Sequence, residues 1–202
     1  MNAPDLTAEL QVSADVPHER GDAARNRVLL LDAARRLIAE RGADAVSMDD
    51  VAAEAGVGKG TLFRRFGSRA GLMMVLLDED EKVEQQAFLF GPPPLGPGAP
   101  PLARLLAYGR ERVKFVQRHQ ALLSESYRDP QTRYSAVATL HRSHVRLLLQ
   151  AAGTTGDLDA QTDALLALLD PDHVGHQLAE MGVTVEALGD AWESVARKLC
   201  GT

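Results

Sequence analysis

A chain of 202 residues, 45% hydrophobic and 25% charged, holds enough apolar material for one large soluble domain or two small ones. No apolar run reaches the roughly 18–20 residues of a membrane-spanning helix, and the acidic, polar first two dozen residues do not read as a signal peptide. The single cysteine, Cys200, excludes an internal disulfide and fits a reducing cytoplasm. The net charge of -6 is unevenly spread: residues 1–24 carry -4, residues 25–70 carry +3 and residues 71–202 carry -5. Only the middle block attracts a phosphate backbone.

Residues 1–24 mix Pro4, Pro17 and Gly21 with acids and read as a disordered acidic arm. From about Arg25 to Arg41, Leu30, Ala34, Leu37 and Ile38 recur at helical spacing, and Gly42 suits the left-handed position past the helix end. Ser47 then reads as an N-cap, with Asp50 three residues on as a short-armed capping box. A brief helix from Met48 to Ala55 ends at Gly56, and a second runs from about Gly58 to Phe66. Gly67 and Ser68 break the chain again, with Ser68 as the next cap and a long helix from Arg69 to Phe90. The proline- and glycine-rich stretch Gly91–Pro101 is neither helix nor strand. Beyond it the pattern predicts helices near 102–118, 120–127, 133–152, 158–169, 172–181 and 185–200, the last capped by Thr184. Strand-like alternation is absent, so the fold class is all-α.

Residues 47–66, SMDDVAAEAGVGKGTLFRRF, meet the demands of a helix-turn-helix. Ala52 is small where the second helix crosses the first, and Gly56 tolerates the positive φ of the tight turn. Val51, Ala55, Val57, Leu62 and Phe66 fall on the shared face, which leaves the second helix free to enter a major groove by its N-terminal end. Gly-Val-Gly-Lys-Gly-Thr at 56–61 lacks the register of a phosphate-binding loop and no strand precedes it, so nucleotide binding is rejected. Residues 27–72, from Arg27-Val-Leu-Leu-Leu-Asp-Ala-Ala to Phe-Gly-Ser-Arg-Ala-Gly-Leu72, resemble the N-terminal DNA-binding region of TetR-family regulators.

The resemblance implies a three-helix head carrying a helix-turn-helix (25–70) and a larger helical domain for ligand binding and dimerisation (71–202). It implies that Ser47, Thr61 and Arg69 contact phosphates, and that Gly58, Lys59 and Gly60 open the recognition helix for close approach, with Lys59 on a base edge or phosphate. Arg64 and Arg65 extend the basic surface. Phe63 stands where the family usually has tyrosine, so a phosphate hydrogen bond is lost while the aromatic contact stays. Gly71 replaces an acid or helix former and should weaken its helix start by roughly 0.5–1 kcal/mol.

In the larger domain, Leu188, Trp192, Val195 and Leu199 follow a four-three-four spacing that wants an apolar partner. The resemblance implies that, with Leu165 and Leu169, they form the homodimer seam, Trp192 being its anchor or else filling the core of its own chain. An effector pocket is expected among the central helices, with Tyr108, Phe115, Tyr127, Val137, His141 and His144 as candidate contacts. His141-x-x-His144 and His173-x-x-His176 have a spacing that could grip a metal, but such pairs arise by chance among six histidines, and no metal or cofactor is expected. The whole reading is a repressor that binds a palindromic double-stranded operator as a homodimer and is released by a small, largely apolar molecule. A DNA-binding regulator without an effector is the alternative. An enzyme fits poorly, since no catalytic motif is present.

Overall fold

The computed structural model describes residues 16–127 and 135–201, without the side chains of residues 16–23, 44 and 125–127. All its regular structure among these residues is helical. Helices α1 (Val16–Arg41), α2 (Met48–Ala55), α3 (Lys59–Phe66), α4 (Arg69–Phe90) and α5 (Pro101–Tyr127) are followed by α6 (Ala136–Ala151), α7 (Leu158–Ala167), α8 (Pro171–Ala179) and α9 (Val185–Leu199). A short 3-10 turn, Ala43–Ala45, precedes α2. The chain divides into two compact units, one ending at Leu76 and the other Leu77–Thr202, so the division falls inside α4.

Two expectations about helix limits are corrected. Helix α1 begins at Val16, so residues 16–24, expected in a disordered arm, are helical; residues 1–15 lie outside the described residues. Pro17 is compatible with this because the first turn of a helix has no intrahelical use for its N–H groups. The expected break near residue 119 is absent, and α5 runs on to Tyr127. No glycine or proline interrupts residues 110–127, and Arg112, Val113, Val116 and Leu123 hold one buried face through the predicted break.

In the first unit, Leu30, Ala34 and Leu37 of α1 join Val51 and Ala52 of α2, Leu62 and Phe66 of α3 and Leu72 of α4 as a buried core. The second unit has its own core, in which Phe88, Leu105, Tyr108, Phe115, Leu149, Leu165 and Trp192 are almost wholly enclosed. Trp192 lies against Gly109 of α5, where a Cβ would fall 2.0 Å from the indole Nε1. The indole N–H donates to the carbonyl of Leu105 at 3.0 Å. A glycine inside a helix costs about 1 kcal/mol relative to alanine; here it makes room for the largest side chain of the core.

Candidate nucleic-acid interface and small-molecule cavity

The helix-turn-helix is built by caps and one left-handed turn. Ser47 caps α2: its Oγ accepts the Asp50 N–H at 3.1 Å, while Asp50 accepts the Ser47 N–H at 3.0 Å and the Ser47 hydroxyl at 2.5 Å. These bonds from Ser47 hold the Asp50 carboxyl below its ordinary range. The Ser47 proton is therefore engaged within the chain, which competes with the phosphate contact expected of it. Gly56 closes α2 at φ 64 and ψ 26, its N–H reaching the carbonyls of Ala52 and Ala53.

Helix α3 then buries Leu62 and Phe66 and turns the rest outward. Gly58, Lys59, Gly60, Phe63, Arg64 and Arg65 are exposed and Thr61 is half-buried. No side chain among the described residues caps α3, so the amides of Lys59 and Gly60 stay open to an anion. Among the described residues, nothing beyond its chain neighbours and its own helix comes within 4 Å of a Cβ built at Gly58 or Gly60. Lys59 pairs with Asp49 at 2.5 Å, both side chains being more than half exposed. Sequence reasoning had given Asp49 no part in the interface.

Arg69 and Gly71 have roles within the chain that the sequence reading did not give them. Arg69, expected on a phosphate, turns onto its own chain: Nε donates to the Val46 carbonyl at 2.9 Å and Nη2 to that of Ala43. The planar guanidinium fork ties the start of α4 to the segment before α2. Gly71 is a close-approach residue, since a Cβ there would lie 2.1 Å from the Phe66 carbonyl oxygen. Its effect on propensity is secondary, and the helix start is capped anyway by the Ser68 hydroxyl, which accepts the Gly71 N–H at 3.1 Å.

The second unit holds a cavity of about 540 Å³, within the range of small-molecule sites. Tyr108 and Arg112 of α5 line it with His141 and Arg142 of α6, Asp163 of α7 and Asp170. Ala138, Leu166, Ala167 and Leu169 give it apolar wall. Arg112, His141 and Tyr108 of this lining belong to a buried polar network. Arg112 Nη1 binds Glu81 at 2.7 Å and also Glu84. His141 joins Glu81 at 2.5 Å through Nε2 and Tyr108 at 2.8 Å through Nδ1.

The electrostatics fix the protonation states. Burial drives the Glu81 pKa upward, but the hydrogen bond from His141 and the charge of Arg112 outweigh it and hold the value at about 2. Burial lowers the pKa of His141 against the pull of Glu81. An ionised Glu81 can only accept, so a neutral His141 carries its proton on Nε2, and Nδ1 accepts from the Tyr108 hydroxyl. Burial raises Glu84 in spite of Arg112. His144 is driven to about 4 by burial, then by the Arg104 charge; its Nε2 is buried without a hydrogen-bond partner.

The expected pocket residues do not stay together. Tyr108 and His141 line the cavity, whereas His144 and Phe115 are buried outside its lining. Phe115 carries the Arg112 guanidinium 4.5 Å above its ring. Val137 is 38% exposed in the first turn of α6 and is not in the lining of this cavity: helical periodicity selects a line along a helix, not how much of that line is covered. The Tyr127 side chain lies outside the described residues. Arg112, Glu81 and Glu84 were missed. Their signal was available, since Arg112 stands four residues from both Tyr108 and Val116, a charge in an apolar register.

The residues expected at the dimer seam differ in how far their own chain covers them. Leu165 and Trp192 are wholly buried in their own chain and Leu169 and Leu188 nearly so, leaving Val195 exposed at 36% and Leu199 partly buried. Trp192 serves the core of its own unit. Neither His-x-x-His pair assembles a metal-binding group of three among the described residues, and no helix there is long and apolar enough to cross a membrane.

Residues 30–74 match the family model described as bacterial regulatory proteins, tetR family. Over 61 residues the chain is 36% identical to an HTH-type transcriptional regulator of Staphylococcus aureus (strain bovine RF122 / ET3-1). That stretch is 30% of this chain and 33% of the relative, so the likeness spans a third of the relative's length. The fold is similar to that of a TetR-like transcriptional regulator from Rhodococcus sp. RHA1, with a TM-score of 0.59 and 23% identity over 88% of this chain and 97% of that one. A structure from Saccharomonospora viridis, solved in complex with choline, gives a TM-score of 0.62 and 20% identity over 85% and 95% of the two chains.

Proposed function

From a chain that carries the DNA-binding region of the tetR family on a TetR-like fold, we infer a ligand-responsive transcriptional repressor that binds a palindromic operator as a homodimer. The observation that carries this is the outward face of α3. Its exposed glycines answer to no packing need of the chain, its first amides are uncapped, and Lys59, Phe63, Arg64 and Arg65 stand around them. Small residues at a helix start, flanked by cations, suit close approach to a phosphate backbone with side chains on base edges. One such head makes few contacts, and a two-fold pair spanning successive major grooves roughly 34 Å apart doubles them.

The cavity in the helical body supports effector control over the alternative of a regulator without a ligand. That the similar Saccharomonospora viridis regulator was solved in complex with choline supports a small-molecule ligand for a chain of this fold, without naming the one used here. An effector that prefers a DNA-incompetent state tenfold shifts operator binding by about 1.4 kcal/mol, within ordinary allosteric coupling. For the homodimer, the outward side of α9 around Val195 and Leu199 is the remaining part of the expected seam.

The test is operator binding by fluorescence anisotropy across a salt series, with a duplex selected from random sequence. Affinity should fall log-linearly with salt. Lys59→Ala should weaken binding about tenfold, as for a lost charged contact, with an unchanged circular dichroism spectrum. Full affinity in Lys59→Ala and in Arg64→Ala would remove α3 from the interface.

A further inference from the structure

The cavity of the helical body presents hydrogen-bond donors that the fold does not use. Arg112 is 6% exposed, lines the cavity and commits only Nη1 to carboxylates. No group among the described residues accepts from its Nε or Nη2, which carry the three remaining N–H bonds of the guanidinium. Two more buried polar side chains, Tyr108 at 1% and His141 at 5% exposure, line the same space and are bonded to each other. Leu166, Ala167 and Leu169 supply apolar wall. Such a cavity suits a molecule with one polar end and an apolar body.

The charge balance selects the polar end. Arg112 already faces two carboxylates, Glu81 and Glu84, so its positive charge is more than compensated. A ligand carboxylate would become a third anion around one guanidinium in a site of low polarizability. A ligand ammonium offers only donors to an edge that needs an acceptor, and the other carboxylates of the lining are already engaged, Asp163 by Arg142 and Asp170 by the amides of Asp172 and His173. An uncharged carbonyl oxygen accepts these N–H bonds and adds no charge. We propose that the cavity takes a small, uncharged carbonyl compound, its oxygen on the Nε/Nη2 edge of Arg112 and its apolar remainder against Leu166, Ala167 and Leu169. The proposal rests on the sensor reading of the helical body and names the chemical class it senses.

The test uses the full chain without DNA and three probes of one chain length: 2-octanone, octanoate and octylamine, titrated calorimetrically at about pH 8. The ketone should bind saturably and at least about tenfold tighter than the acid or the amine. Arg112→Lys keeps a cation beside Glu81 and Glu84 but removes the Nε/Nη2 edge, and should abolish the preference while the far-ultraviolet spectrum stays unchanged. Ala167→Phe, which fills the cavity and leaves the network intact, should abolish ketone binding by itself and covers the case in which Arg112→Lys does not fold. Tightest binding of octanoate or of octylamine, no ketone binding, a preference that survives in folded Arg112→Lys, or ketone binding that survives in Ala167→Phe would each overturn the proposal. Operator release is measured separately. Ketone binding without release would refute the sensor reading and leave the ligand class standing, whereas release by another compound in the absence of ketone binding would do the reverse.

Discussion

Replacing Gly109 by alanine separates helix propensity from packing, because the two predict opposite signs. Propensity alone favours alanine inside α5 by about 1 kcal/mol. In the structure, however, a Cβ at 109 falls 2.0, 2.1 and 2.2 Å from three indole atoms of Trp192, against an ordinary contact of 3.4–4 Å. The rigid indole must retreat by more than about an ångström, a severe overpacking at the upper end of the roughly 1–3 kcal/mol range. Its bond to the Leu105 carbonyl is then lost, for about 1 kcal/mol more. Gly109→Ala should therefore destabilise the chain by about 3 kcal/mol net of propensity. Trp192 is the only tryptophan, so its emission reports the event directly. Urea unfolding followed by fluorescence should show a lower midpoint, and the folded state should emit further to the red. In a Trp192→Phe background the smaller ring should accommodate the new methyl, leaving a coupling of at least about 1–2 kcal/mol in the double-mutant cycle. An equal or higher midpoint for Gly109→Ala, with unshifted emission, would refute the packing argument.

Two further substitutions test the electrostatics. His144 titrates at about 4 in the folded chain, against an ordinary value of 6.5, so between those values the unfolded chain binds a proton that the folded chain does not. The stability due to keeping His144 neutral is complete above about pH 6.5 and is lost as pH falls towards 4, amounting to up to about 3 kcal/mol. His144→Phe, placed among Phe88 and Tyr108, should flatten that part of the stability–pH curve in urea titrations from pH 7 to 4; an unchanged slope would count against it. Asp49→Asn should free Lys59 and remove one negative charge beside α3. An exposed pair is worth about 0–1 kcal/mol, so non-specific duplex affinity should rise by up to about fivefold in low salt, and an affinity equal to that of the parent chain would show that Asp49 plays no such part.

The head was legible because its signals are local. The Ser47–Asp50 box, the left-handed Gly56, the Ser68 cap and the limits of α2 and α4 are each set by residues within a few positions of one another. The Arg69 contacts were not legible, since they join α4 to carbonyls 23 and 26 residues earlier, and a side chain able to grip a phosphate can equally grip a backbone oxygen. Gly71 was misread for a different reason: the Phe66 carbonyl that excludes a Cβ there is near in sequence but placed by a turn, which residue spacing does not show. In the body, the cavity network draws Glu81, Arg112 and His141 from three helices, so no short motif contains it. Only the oddity of charges at apolar positions marked it.

The fate of the four-three-four stripe on α9 shows where periodicity runs out. Leu188, Trp192, Val195 and Leu199 do share a helical stripe, and the stripe does want an apolar partner. Periodicity fixes the direction in which a side chain points and leaves open which surface meets it. That second fact depended on a residue 83 positions away: Gly109 leaves a recess in α5, and the indole of Trp192 fills it with its N–H on the Leu105 carbonyl. A mid-helix glycine in one segment and a lone tryptophan in another are each weak signals; read as a pair, a hole and the side chain large enough to fill it, they favour burial within one chain. Burial in turn limits what the stripe can give to a partner copy. Trp192 has no surface left to cover, so any apolar gain from pairing along this stripe has to come from Val195 and from the partly covered Leu199.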